Sequence, residues 1–206
     1  MLTLYGRNSS GNVQKATWAL GELGLQCERV DEEGVFGSID TPEYRKINPT
    51  VRVPTLIDGG HVVRQSNTIV RYLFCKHSKG DKWPEDLLER ASAEEWMDWA
   101  SIENAANMVT VFWGLIRTKP EDRDMAAIKK GVEGLNRDFT ILNDHLAGKQ
   151  FVVGDRFTMG DVPVGVNAYR YFALDIERPK LPHLEAWYGR LSERTAYREH
   201  VMLPLK

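Results

Sequence analysis

The sequence predicts an α/β unit built on a mixed four-stranded sheet, followed by an all-α helical bundle. Three observations carry that expectation. The first eighty of the 206 residues alternate short apolar runs with helix-spaced segments in the order βαβ and then ββα. From Pro84 onward the apolar residues recur at helical spacing, and no further strand pattern follows. Between them, KHSKGDKWP (76–84) is polar, glycine-bearing and closed by proline, which reads as a linker. Two domains are therefore expected, over 1–80 and 86–206.

Leu2-Thr3-Leu4-Tyr5 alternates like a strand and stops at Gly6. From Asn12, the residues Val13, Ala16, Trp18, Leu20, Leu23 and Leu25 keep helical spacing, and Gly24 suits a C-cap. Gln26 to Val30 returns as a strand, so a right-handed crossover should join two parallel strands. Asp31 to Asn48 is polar, with room for one short helix around Pro42–Arg45; its acidic start, Asp31-Glu32-Glu33, reads as a solvated loop. Val53–Ile57 and His61–Arg64 flank Asp58-Gly59-Gly60, which is hairpin chemistry. Ser66 then caps a helix that puts Ile69, Val70, Leu73 and Phe74 on one face.

Beyond the linker, helices are expected over Pro84–Lys119 and Arg123–Leu146, near Gly160–Phe172 and near His183–Ser192, with a short one closing the chain. Thr158-Met159-Gly160-Asp161 has the capping-box pattern, with Phe157 and Val162 placed for a hydrophobic staple, and reads as structural.

Composition narrows the function. Hydrophobic residues are 42% and charged residues 27%, as in globular proteins. Lys and Arg number 27 against 29 Asp and Glu, so the chain carries no basic footprint for nucleic acid or an anionic membrane surface. The longest uncharged run, Asn104–Ile116, is too short to span a bilayer, and Met1-Leu2-Thr3 enters the first strand without a leader pattern. Cys27 and Cys75 are too few for a disulfide framework or a four-ligand zinc site and read as buried, inert thiols. The five histidines show no metal spacing. A soluble, reduced, cytoplasmic protein without a metal is expected.

Three local patterns carry chemistry. Ser9-Ser10-Gly11-Asn12 joins the first strand to the first helix, where free N–H groups and the helix dipole favour an anion such as a thiolate. The same side chains also serve as ordinary N-caps. Val53-Pro54 opens a strand, and proline there belongs at a strand start or an exposed edge. If that bond is cis, Val53 presents its main-chain N–H and C=O to a peptide-like ligand. Gln65-Ser66-Asn67 begins a helix whose N–H groups suit a carboxylate, with Gln65 beside it for an ammonium; a solvated cap is the plainer reading.

Taken in order and spacing, βαβ, V-P, Q-S and T-x-x-D resemble the cytosolic glutathione transferases along essentially the whole chain. The resemblance implies a thioredoxin-like N-terminal domain, with Val53-Pro54 in the place of the family's cis-proline and Gln65-Ser66 in that of its Glu/Gln-Ser pair. It places Ser10 where theta- and zeta-like members keep a catalytic serine, with Ser9 as the alternative. Asn12 falls where beta-like members place a cysteine and related bacterial members an asparagine. No catalytic tyrosine or cysteine is in view, since Tyr5 lies in the strand.

By the same resemblance Val53 pairs with the cysteinyl part of glutathione, Gln65 and Ser66 hold its γ-glutamyl end, and Arg52 stands near its glycine carboxylate. Met108, Phe112 and Trp113 form the wall for a small hydrophobic electrophile, and the protein is a homodimer. Glutathione enters as co-substrate, with no metal or redox cofactor. The implied activity is transfer of glutathione to an electrophile. Two alternatives stay open: a glutathione-dependent disulfide or hydroperoxide reductase, and a non-catalytic glutathione- or ligand-binding protein.

Overall fold

A computed structural model describes residues 1–31 and 39–206. One mixed sheet has the order β2-β1-β3-β4, with β1 at Leu2–Tyr5, β2 at Cys27–Val30, β3 at Thr55–Asp58 and β4 at His61–Arg64. β1 runs parallel to β2, with Leu2 opposite Cys27, and antiparallel to β3, with Leu4 opposite Leu56. β3 and β4 form the expected hairpin across Gly59 and Gly60, both at positive φ (56° and 89°) as a tight primed turn requires.

Helix α1 (Gly11–Glu22) makes the crossover. It closes on Gly24 at φ 62°, where Leu25 N–H bonds Leu20 C=O at 3.0 Å and Gly24 N–H bonds Gly21 C=O at 3.1 Å, a Schellman ending. The short helix α2 (Pro42–Ile47) is capped by Thr41 Oγ1, which accepts from Tyr44 N–H at 3.1 Å. Glu32 and Glu33 of the acidic run lie outside the described residues.

Helix α3 (Ser66–His77) corrects the sequence reading by one position. Gln65, at φ 69° and ψ 122°, occupies the cap position without a side-chain cap bond, and Ser66 is the first helical residue. The left-handed turn at Gln65 carries the chain into the helix one residue early. The Ser66 hydroxyl is thereby spent across the fold, not on its own helix.

The second unit holds α4 (Leu87–Phe112), α5 (Met125–His145), α6 (Asp161–Ala173), α7 (Pro182–Ser192) and α8 (Thr195–His200). α4 starts at Leu87, later than Pro84, because Asp86 Oδ1 accepts from Leu88 N–H at 3.0 Å and Glu89 N–H at 2.9 Å. Its end is wound as a π-turn over Trp113–Arg117. The capping box forms: Thr158 N–H donates to Asp161 Oδ2 at 2.9 Å, and Asp161 Oδ1 accepts from Val152 N–H at 3.0 Å and Trp187 Nε1 at 2.9 Å. The linker is strapped down, since Arg156 Nη1 donates to the carbonyls of Gly80 and Asp81.

The two units share one apolar core. Trp18 of α1 is fully buried, 4.6 Å from Tyr197 and 5.4 Å from Phe157 between ring centres. α6 reaches this ring only because residue 165 is glycine: a Cβ there would stand 2.8 Å from Trp18. Trp18 Nε1 and Arg194 both donate to the carboxylate of Glu22. The cysteines, expected to be buried, are half-buried, Cys27 because β2 is an edge strand. Among the described residues no helix is long and apolar enough to cross a membrane.

Candidate active site

A cleft of about 1000 Å³ opens between the sheet unit and the bundle. The N-termini of α1 and α3, the segment Thr50–Pro54, and residues of α4 and α6 line it. All eleven residues singled out from the sequence border this one space: Ser9, Ser10, Asn12, Arg52, Val53, Pro54, Gln65, Ser66, Met108, Phe112 and Trp113.

At the head of α1, Ser10 holds the N-cap position (φ −84°, ψ 119°), yet its side chain makes no cap bond. The ordinary cap reading of Ser10 is therefore corrected: Ser10 C=O takes the helical bond from Gln14 N–H at 2.9 Å, and its hydroxyl is left for the cleft. Ser9 differs, because its Oγ accepts from Arg7 Nε at 3.1 Å and its carbonyl from Arg170 Nη2 at 3.3 Å. Asn12 is a helical residue, not a cap, and its Oδ1 accepts from Ser66 Oγ at 3.2 Å.

Val53-Pro54 is a cis peptide bond. Val53 stands two residues before the Tyr5–Thr55 ladder pair, so its main-chain groups lie outside the ladder. A polar network holds the preceding peptide. Tyr44 Oη donates to Arg52 C=O at 2.7 Å, Asn48 Nδ2 donates to the same carbonyl at 2.8 Å, and Thr55 Oγ1 lies 2.7 Å from Tyr44 Oη and 3.0 Å from Asn48 Nδ2. A closed set of this kind polarises its members and fixes one geometry. Sequence reasoning missed Tyr44, Asn48 and Thr55; the Asn48-Pro49 turn pair was the signal that pointed there. Val51 at φ 51° and Gln65 at φ 69° are left-handed non-glycine residues, and both line the cleft, where backbone strain tends to collect.

The opposite wall departs from expectation. Met108 and Phe112 are buried to 2% exposure, and Trp113 is 44% exposed, but the wall is not purely apolar. Arg170 lays its guanidinium carbon 4.2 Å from the Phe112 ring centre, with Arg117 5.8 Å from the same centre. Lys15, buried within α1, donates to Ser101 Oγ at 3.5 Å, and burial with nearby Arg170 lowers its pKa to about 8. Burial, and then Arg117, lower that of Arg170 to about 10. No sequence signal marks these cations, because a basic residue on a helix ordinarily reads as its solvated side.

The cleft thus offers two helix N-termini, a hydroxyl not used for capping, main-chain groups outside a ladder and several cations, all suited to an anionic peptide-like ligand. Models of the glutathione S-transferase N-terminal and C-terminal domains match residues 4–82 and 105–195. The chain belongs to the glutathione S-transferase family. This transferase is 36% identical to the glutathione S-transferase GstB of Escherichia coli, over 100% of both chains. It is 30% identical to glutathione S-transferase 3 of Zea mays, over 97% of this chain and 93% of that one. The crystal structure of a theta class glutathione S-transferase from Xanthomonas axonopodis pv. citri, with glutathione bound, matches the transferase with a TM-score of 0.95 and 41% identity, covering 100% of this chain and 99% of that one. The family inferred from Val53-Pro54, Gln65-Ser66 and the Thr158–Asp161 box is the family shown.

Proposed function

We propose that the protein binds glutathione in this cleft, holds its sulfur as a thiolate at the head of α1, and transfers it to a small electrophile seated against α4. The observation that carries this reading is Ser10, whose hydroxyl sits at a helix N-terminus and is not spent on capping. That hydroxyl donates to the sulfur, and the helix dipole adds to the stabilisation of the anion. Ser9 serves less well, since Arg7 already engages its Oγ. Asn12 supplies a second donor, its Nδ2 amide, while Ser66 orients its oxygen.

The rest of glutathione follows the cleft. Val53 pairs through its main chain with the cysteinyl unit, beside Pro54. Gln65 and Ser66, with the N-terminus of α3, take the γ-glutamyl end, and Arg52 takes the glycine carboxylate. Met108, Phe112 and Trp113 face the electrophile. In the transfer step the thiolate forms the S–C bond while the leaving group departs with its electron pair. Neither Cys27 nor Cys75 lines the cleft, which supports chemistry without a covalent enzyme intermediate.

On this reading residues 1–80 form the glutathione unit and 86–206 complete the electrophile site. The protein acts in the cytoplasm in detoxification, where half-buried free thiols stay reduced. It does so as a homodimer, a state supported by Leu88 (80% exposed) and Ile102 (72% exposed) on α4 and measurable by sedimentation.

Ultraviolet difference spectra of glutathione titrated into the protein test the core of this proposal. Thiolate absorbance should appear well below the pH of about 8.5 at which a free thiol ionises, together with conjugation of an activated halobenzene. Saturable binding without that absorbance indicates a ligand carrier. Reduction of hydroxyethyl disulfide outpacing conjugation indicates a two-glutathione reductase.

A further inference from the structure

The charged residues lining the cleft are strongly unbalanced. Among the described residues, Arg7, Lys15, Arg52, Arg117 and Arg170 border it against a single carboxylate, Asp40, which already pairs with Arg45 at 2.7 Å. The charge of Arg7 is partly answered by Asp31. Lys15, Arg117 and Arg170 take part in no ion pair among the described residues.

Two of these cations converge on the electrophile side. The guanidinium carbons of Arg170 and Arg117 stand 4.2 and 5.8 Å from the centre of one ring, Phe112. Arg117 comes from the π-turn that ends α4, a local winding often found at functional sites. Its Nη2 donates to the Lys206 carbonyl at 3.1 Å, while its Nε is buried and has no partner. Arg170 comes from α6 and packs against the head of α1, so closely that a Cβ on Gly11 would stand 2.8 Å from its guanidinium carbon. Two guanidinium groups partly desolvated around one aromatic ring, with the Arg117 Nε donor unsatisfied, are costly unless an anion joins them.

We infer that the electrophile this transferase takes carries a carboxylate or comparable anion, held by Arg117 and Arg170 beside Phe112. The inference rests on the transferase reading above and names the substrate class of its second subsite. The covalent step is unaffected by the anchor. Sulfur bonds to the activated carbon, chloride leaves with the C–Cl electron pair, and the thiol proton has already gone to solvent on binding. The anionic group stays intact and serves to orient the carbon over the sulfur.

The test compares a chlorodinitrobenzoate, chlorine and carboxylate para to each other, with its uncharged carboxamide, at saturating glutathione and relative to each compound's uncatalysed rate. The wild-type protein should favour the carboxylate in kcat/KM by roughly tenfold or more, the scale of a charge-assisted pair. Arg117→Gln should erase that preference by slowing the carboxylate, leaving the carboxamide and the KM for glutathione within about twofold.

Equal wild-type rates for the two compounds, or an equal loss for both in Arg117→Gln, overturn the inference. So does a raised KM for glutathione in that variant, which would assign the guanidinium to glutathione. The wild-type comparison needs no variant to fold. Thiolate absorbance with carboxamide turnover but no carboxylate preference defeats this inference alone. Absence of thiolate absorbance, with neither compound turned over, defeats the transferase reading as well.

Discussion

Ser66 Oγ donates to Asn12 Oδ1 at 3.2 Å, joining the first turns of α3 and α1 across 54 positions of sequence. The bond sets the Asn12 carboxamide and leaves its two N–H donors for a ligand in the cleft. The two residues should therefore act as one unit. Ser66→Ala and Asn12→Ala should each raise the Kd for glutathione by roughly fivefold to tenfold, about 1 kcal/mol. Calorimetric titration of both single variants and the double variant should show the double costing clearly less than the sum. Strict additivity would show that the contact does no energetic work.

Ser10→Ala removes the proposed donor to sulfur without touching a cap bond, because Ser10 makes none. A hydrogen bond to a charged partner contributes about 1.5–3 kcal/mol, so the bound thiol's pKa should rise by about one to two units. Turnover at neutral pH should fall accordingly, with glutathione affinity nearly unchanged at pH values below the bound thiol's pKa and α1 stability intact. An unaltered pH–rate profile would move the role to Asn12 or Ser9.

Asp161 predicts a stability effect far from the cleft. It is fully buried, and burial pushes its carboxyl up to about 6 despite the N–H donors of Val152, Thr158 and Trp187. Asp161→Ala orphans three buried donors and should lower stability by at least about 3 kcal/mol, read as a shift in the urea midpoint. A variant within about 1 kcal/mol of wild type would show that water replaces the carboxylate there.

Lys15 makes stability depend on alkaline pH. Its folded pKa of about 8 lies below the ordinary 10.5, so between those values the unfolded chain holds a proton that the folded chain has released. Stability contributed by this group therefore rises with pH across that window and is reduced below it. The difference in unfolding free energy between wild type and Lys15→Met, measured in urea, should shift in favour of wild type from about pH 8 to 10.5. A flat difference would place the amine in water.

The chain's own pattern carried the order of elements. Alternation at Leu2–Tyr5, the helical spacing from Val13 to Leu20, the Gly59-Gly60 turn and the Thr158–Asp161 box are local features, and each formed where its residues dictate. Local rules misplaced two helix starts. α4 starts behind its Asp86 cap and not at Pro84, where the helical spacing begins, and the positive-φ Gln65 moved Ser66 inside α3. The first start was set by a side-chain cap, the second by a backbone geometry that residue type alone leaves open.

The sequence by itself determined the family, the pairing of β1 with β2 and of β3 with β4, and which residues at the heads of α1 and α3 and around Pro54 border the cleft, because those depend on caps, turns and short motifs read along the chain. Only the tertiary structure decided which hydroxyl at the head of α1 is spent and which is not, since Arg7 engages the Ser9 hydroxyl and Arg170 its carbonyl, while Ser10 is left. It alone turned an expected apolar wall into one carrying Arg117 and Arg170, by folding α6 over α4 so that residues 53 positions apart share one aromatic ring. Helical spacing places a residue on a face of its own helix. Which other charge meets it there depends on how the helices cross, and that is fixed by the shared core around Trp18 and Gly165.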